Sequence, residues 1–215
     1  MDWAKWHEKY EVSPAMKARL VIVREHLSRC LDLQPPGPIQ ILSICAGDAR
    51  DLIGLMEAHP RKKDVNALLV ENNSELVEAG RKVISEAGIE SQLTFSMSDA
   101  TISSTYVEFV PVDIALLSGV FGNLRPEECA RLIRSLCSLC KRGGYVVWTR
   151  HRQIHGGLSQ IALIRQHFED SRFEEVQIGD TADDKFTIAT YRYQGAGEIL
   201  RAGGKLFEFT GYDQM

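Results

Sequence analysis

The amino-acid sequence predicts an α/β fold, a mostly parallel seven-stranded sheet with helices on both faces. Three observations predict it. Short apolar runs alternate with segments of helical period from residue 39 onward, the pattern of repeated strand–helix–strand units. The first of these runs, Ile39-Gln40-Ile41-Leu42-Ser43-Ile44, is apolar on both alternating faces, as a strand covered on both sides is. The last two, Phe173 to Ile178 and Phe186 to Tyr193, lie close in sequence and so pair as an antiparallel hairpin at one sheet edge.

Each element has its own signal. Ser13-Pro14 reads as an N-cap followed by proline at the first helical position, and Leu20, Val23, Leu27 and Leu31 then recur at helical spacing. Gln34-Pro35-Pro36-Gly37-Pro38 ends that helix. Strand one is expected from Gln40 to Cys45, followed by a helix from Asp51 with Leu52, Leu55 and Met56 on one face. Strand two runs from Ala67 to Glu71, and the next helix from an N-cap at Ser74 to a terminating Gly88. Strand three is Gln92 to Met97 and strand four Val112 to Leu117. Pro126, Glu127 and Glu128 open a helix whose last turn is expected to hold Lys141 and Arg142, with Gly143 beyond, as the helix dipole favours. Strand five is Tyr145 to Thr149, and a helix near Ser159 to Glu169 precedes the final hairpin. A glycine-rich tail then leads to Leu206-Phe207-Glu208-Phe209, expected as a short extra strand.

At 215 residues the chain suits one structural unit, divided into a helical cap over residues 1–34, a main domain over 35–194 and a tail over 195–215. A formal charge of −4 argues against general nucleic-acid binding, which leaves a basic footprint; Arg150, His151 and Arg152 adjoin one another as a local basic patch. No apolar run approaches the roughly 20 residues a bilayer span needs, and residues 1–7 hold no signal-peptide core. Five cysteines, an odd number in a chain of this size, fit reduced thiols in a cytoplasm. Cys137 and Cys140 stand as a lone C-x-x-C inside an apolar helical pattern, which favours core packing over metal binding.

The candidate site lies where strand ends meet turns. In an open parallel sheet the ligand crevice forms at the carboxyl ends of the strands, near the reversal of strand order. Cys45-Ala46-Gly47 follows strand one, with Asp48, Arg50 and Asp51 opening the next helix; Glu71-Asn72 ends strand two, Asp99-Ala100 follows strand three, and Ser118-Gly119 follows strand four. A carboxylate at Glu71 suits the paired hydroxyls of a ribose, and one at Asp99 the exocyclic amine of adenine. Together they read an adenosine without phosphate contacts.

In the order of these motifs, residues 39 to 193 resemble the class I S-adenosylmethionine-dependent methyltransferases, a Rossmann-like family. Residues 41 to 49 are similar to its glycine-rich first motif, although Ser43 stands for the usual acid, Cys45 for the first glycine and Ala49 for the third. Asp48, Arg50 and Asp51 are the candidates to replace that acid. Glu71 matches the ribose-binding acid, Asp99-Ala100 the adenine-side motif and Asp113 to Asn123 the fourth motif, and Gly143-Gly144 before strand five is also typical of the family. The Cys-Ala-Gly-Asp-Ala-Arg-Asp-Leu turn, Val-Phe-Gly-Asn and Trp148-Thr149-Arg150-His151-Arg152 resemble a poorly characterised bacterial subgroup. The resemblance implies S-adenosylmethionine as cofactor, bound by Cys45, Ala46, Gly47, Asp48, Arg50, Glu71, Asn72, Asp99, Ala100, Ser118 and Gly119.

The resemblance implies methyl transfer to a small-molecule acceptor by in-line displacement. Trp6, Tyr10, Phe121, Asn123 and His151 are the expected acceptor contacts. Trp3, His7 and Tyr10 can share one face of an N-terminal helix folded over the site. His151 and Tyr10 are the candidates for a general base, with His155 a further histidine past strand five; no metal-ligand cluster stands out. Two competing readings are a nicotinamide-dependent oxidoreductase and a non-catalytic cofactor-binding protein of the same fold. The first lacks a G-x-G-x-x-G over residues 45 to 50; the second draws on the departures at Ser43, Cys45 and Ala49.

Overall fold

The computed structural model describes residues 12–154 and 156–209. The chain runs α1 (Pro14–Asp32), β1 (Ile39–Ile44), α2 (Arg50–Met56), β2 (Val65–Glu71), α3 (Ser74–Glu86), β3 (Leu93–Met97), β4 (Val112–Leu117), α4 (Pro126–Leu139), β5 (Cys140–His151), α5 (Gly157–Asp170), β6 (Phe173–Asp180) and β7 (Phe186–Tyr193). The strands form one sheet in the order β3-β2-β1-β4-β5-β7-β6. β1 to β5 pair in parallel, while β7 runs antiparallel to both β5 and β6. The hairpin therefore joins the sheet through its second strand, leaving β6 at the edge.

Alternation along the strands sorts the core into two layers. Ile39 and Ile41 of β1 pack with Leu52 and Met56 of α2, Val77 of α3 and Val23, Leu27 and Leu31 of α1. Leu42 and Ile44 turn to the opposite face and pack with Leu132 and Leu136 of α4 and Ile164 and Phe168 of α5. Helices thus cover both faces, as expected for parallel strands. The second layer holds an aromatic stack: Trp148 lies nearly parallel to Phe168, with ring centroids 6.1 Å apart and an interplanar angle of 6°. Cys137 and Cys140 are buried in this layer.

Several boundaries differ from the sequence reading. α4 ends at Leu139, and Lys141 and Arg142 belong to β5 rather than to a helical last turn. Cys140 is already extended and buried, paired with Val112, and the Lys141 ammonium reaches the Asp113 carboxylate at 2.9 Å. A bulge then resets the register between Val112 and Ile114. Gly143 sits at φ +81 in this bulge, and a Cβ at Gly144 would stand 3.0 Å from the Val112 carbonyl oxygen. Glycine at both positions is a turn signal inside a strand, not a helix stop. α3 is capped by Asn73 rather than Ser74, its side-chain oxygen accepting the Leu76 N–H at 3.1 Å.

Among its described residues, the tail forms no further strand. Lys205 makes a single bridge with Ile102, and the Leu206 N–H donates to the Thr101 carbonyl at 2.7 Å. Ser103 donates its hydroxyl to the Arg201 carbonyl at 2.7 Å and accepts the Gly204 N–H at 2.8 Å. Leu206 and Phe207 are buried in the α4/α5 layer, which fixes the tail against the loop after β3. Among the described residues, no helix is long and apolar enough to cross a membrane.

Candidate functional site

The strand order reverses between β1 and β4, and the turns after β1, β2, β3 and β4 line the carboxyl edge beside that point. The turn after β1 is built on alternate left-handed residues: Cys45 (φ 56), Gly47 (φ 59) and Ala49 (φ 58). Only Gly47 takes this conformation without penalty; for an L side chain it costs about 1–2 kcal/mol. The turn is held by the Ala46 N–H to the Val70 carbonyl at 2.9 Å and the Ala49 N–H to the Ala46 carbonyl at 2.9 Å. The family-like glycine positions therefore keep their backbone shape where the glycines themselves are gone.

Glu71 spans from β2 to this turn. Its buried carboxylate accepts the Gly47 N–H at 2.9 Å on one oxygen and the Asn72 and Asn73 N–H groups at 3.0 Å each on the other. A carboxylate offers about four lone-pair directions, so acceptor capacity remains for a ligand hydroxyl. Asp99 is exposed after β3, one oxygen accepting the Thr101 N–H at 2.8 Å. Burial, followed by the charges of Glu71 and Asp99, pushes the Cys45 thiol above its ordinary pKa, so the two acids converge on the turn. Tyr106 completes this side, its buried hydroxyl donating to the Ala100 carbonyl at 2.6 Å. No spacing in the sequence marks Tyr106; only the fold brings it beneath Ala100.

The side toward β4 is charged. Arg50 Nε contacts both Asp48 carboxylate oxygens at 2.9 Å, and Arg24 donates to the Arg50 carbonyl at 2.7 Å. Asp51 is 8% exposed, and its Oδ1 has no hydrogen-bond partner among the described residues. Arg19 of α1 reaches the Ser118 hydroxyl at 3.3 Å and lies over the Phe186 ring with 5.3 Å to the centroid. Burial lowers the Arg19 pKa, opposed by the Asp51 charge and reinforced by Arg50. Sequence reasoning missed Arg19, whose polar head sits in the apolar stripe of α1. Gly119, at φ 82, donates its N–H to the Thr149 hydroxyl at 2.9 Å, and its carbonyl accepts the Asn123 side-chain amide at 2.9 Å.

The expected acceptor contacts divide. Phe121 is corrected: its ring is 1% exposed and packs edge-on against Trp148 at 5.8 Å and Phe168 at 6.2 Å, so it belongs to the core and offers no face to a substrate. Asn123 is half-buried beside Gly119. His151 is half-buried at the end of β5, edge-on to Phe186 at 4.8 Å, with its Nδ1 accepting the Gln153 N–H at 3.0 Å. In the neutral ring that bond leaves the proton on Nε2, which then donates rather than accepts. Trp3, Trp6, His7, Tyr10 and His155 lie outside the described residues.

A family model described as "Putative methyltransferase" matches residues 16–172, from α1 through α5. Among curated proteins no match is found. Of the solved structures, magnesium protoporphyrin IX methyltransferase (ChlM) from Synechocystis PCC 6803, with bound SAM, is 16% identical with a TM-score of 0.68 over 89% of this chain and 91% of that one. The 1,6-didemethyltoxoflavin-N1-methyltransferase of Burkholderia thailandensis is 14% identical with a TM-score of 0.63, over 89% and 84% of the two chains. The [4+2]-cyclase SpnF is 13% identical with a TM-score of 0.60, over 84% and 82%. At these identities the structures establish the fold alone, and the family match establishes the family. The chain belongs to this methyltransferase family, with the class I fold.

Proposed function

We propose that this protein transfers a methyl group from S-adenosylmethionine to a small-molecule acceptor. The observation that carries the reading is the Glu71 carboxylate, buried at the end of β2 and fastened by three backbone N–H groups across the mouth of the Gly47 turn. The residues fit an adenosine carried on a sulfonium. Glu71 accepts from the ribose hydroxyls, Asp99 from the adenine amine, and the orphaned Asp51 oxygen marks a buried acceptor still lacking a donor. When bound, the cofactor supplies an activated methyl on an excellent leaving group. The protein's own work is then to align the acceptor and exclude water.

The same contacts count against a nicotinamide cofactor. The Gly47 N–H, which a pyrophosphate needs, is already committed to Glu71. A role other than methyl transfer draws support from one likeness, since the [4+2]-cyclase SpnF has this fold.

A small acceptor suits the net charge of −4 and the two methyltransferase neighbours whose names specify a porphyrin and a toxoflavin precursor. In this reading α1 caps the open end of the site, to which it contributes Arg19. Five free cysteines suit a reducing cytoplasm. Isothermal titration against S-adenosylhomocysteine and NAD tests the cofactor: the first should bind and the second should not, and binding of NAD alone overturns the reading. Tritiated methyl transfer into a cell extract tests the acceptor. Label is expected in the acid-soluble fraction, and label confined to RNA or protein defeats the small-molecule assignment.

A further inference from the structure

We propose that Asp51 receives the ammonium group at the amino-acid end of the cofactor. This assignment rests on the S-adenosylmethionine reading and deepens it. Glu71, Asp99 and Cys45 gather on the β2/β3 side of the Gly47 turn, where the adenosine is assigned. The remaining part of the ligand is a zwitterion, an ammonium and a carboxylate on one carbon. It has to lie across the turn, toward β4.

That side holds a buried acid without a donor. Asp51 stands in the first turn of α2, 8% exposed, and its Oδ1 accepts no hydrogen bond from any described residue. A carboxylate oxygen removed from water and left without a donor is a costly feature, retained where something else completes it. The neighbouring alternatives are occupied or uncharged. Asp48 is engaged by Arg50 at two oxygens, and Ser43, buried at the end of β1 on the same sheet face as α2, is neutral. Arg19, electrostatically coupled to Asp51 and reaching Ser118, adds a positive charge beside the acid. A negative and a positive group side by side match a zwitterion better than they match a simple anion or cation.

The test compares two ligands on the full chain by isothermal titration. S-adenosylhomocysteine carries the amino-acid end, and 5′-methylthioadenosine keeps the adenosine and lacks it. Asp51→Asn should weaken S-adenosylhomocysteine by roughly 10- to 100-fold, while 5′-methylthioadenosine stays within about twofold. Thermal unfolding of the unliganded variant should show a single cooperative transition, which separates a lost ligand contact from a misfolded chain. Equal losses for both ligands, or an unchanged S-adenosylhomocysteine affinity, overturn the assignment. Wild-type protein that binds 5′-methylthioadenosine and S-adenosylhomocysteine equally well also overturns it and leaves the cofactor reading standing. Wild-type protein that binds neither removes the cofactor reading, and the Asp51 assignment with it.

Discussion

The Gly47 N–H and the Glu71 carboxylate meet at 2.9 Å, and that bond joins the turn after β1 to the end of β2. One carboxylate therefore shapes the loop and, in the proposed reading, is also the group that receives the ribose. Its position is set by backbone groups on both strands, so it is preorganised before any cofactor arrives.

Glu71→Ala should reduce S-adenosylhomocysteine affinity by roughly 10- to 150-fold, the loss of about 1.5–3 kcal/mol expected for a charged hydrogen-bond partner. Isothermal titration measures it. An unchanged dissociation constant removes Glu71 from the cofactor site.

Ala49 holds φ 58 without being glycine. Ala49→Gly should stabilise the fold by about 0.5–1 kcal/mol, the relief of left-handed strain less the added freedom of the unfolded chain. The thermal midpoint should rise by roughly 1–4 °C. Ala49→Val places a β-branched residue in the same conformation and should lower it. A midpoint that falls in the glycine variant contradicts the strained turn.

His26 of α1 is buried, its Nδ1 2.8 Å from the Thr190 hydroxyl, and burial followed by the Arg29 charge lowers its pKa to about 4. The unfolded chain titrates near 6.5 and binds the proton more tightly. Stability from the neutral ring is fully present above about pH 6.5, and is lost as pH falls from there toward about 4. The slope approaches about 1.4 kcal/mol per pH unit inside that window. Denaturant unfolding at successive pH values should show this loss in wild type and a flatter profile in His26→Gln.

Phe121→Ala should cost about 3–5 kcal/mol of stability, as truncation of a buried aromatic does. Denaturant titration reads the loss. A variant of near wild-type stability that binds acceptor poorly would return Phe121 to the substrate side of the site.

The sheet, its layers and four of its strand-end turns were legible in the sequence because burial on both faces leaves unbroken apolar runs, and helix caps leave local residue choices. β4 and β7 have the bounds their apolar runs predict. Lys141 and Arg142 misled because their charge fits a helix end as well as a strand edge, and the deciding partner, Asp113, lies 28 residues earlier. Phe121 misled for a related reason: its place after β4 suggests the crevice, but the Trp148 and Phe168 rings across the layer capture it. Glu71 and Gly47 were legible because each sits where a strand meets a turn. Arg19, Tyr106 and the orphaned Asp51 oxygen were not, since their meaning comes from contacts far along the chain or from a missing contact.

The bonds between residues 101–104 and 201–206 span sequence separations of 98 to 101 residues where the side chains of Ser103 and Ser104 take part. They brace the loop that presents Asp99. During synthesis on the ribosome, the Rossmann-like strands β1 to β3 emerge long before this brace does. In the proposed reading, the adenine side of the site therefore owes its stiffness to a brace that closes only after residues 201–206 have docked. A nascent chain holds Glu71 well before that brace can form, so the two acids of the proposed nucleoside site are fixed at different times.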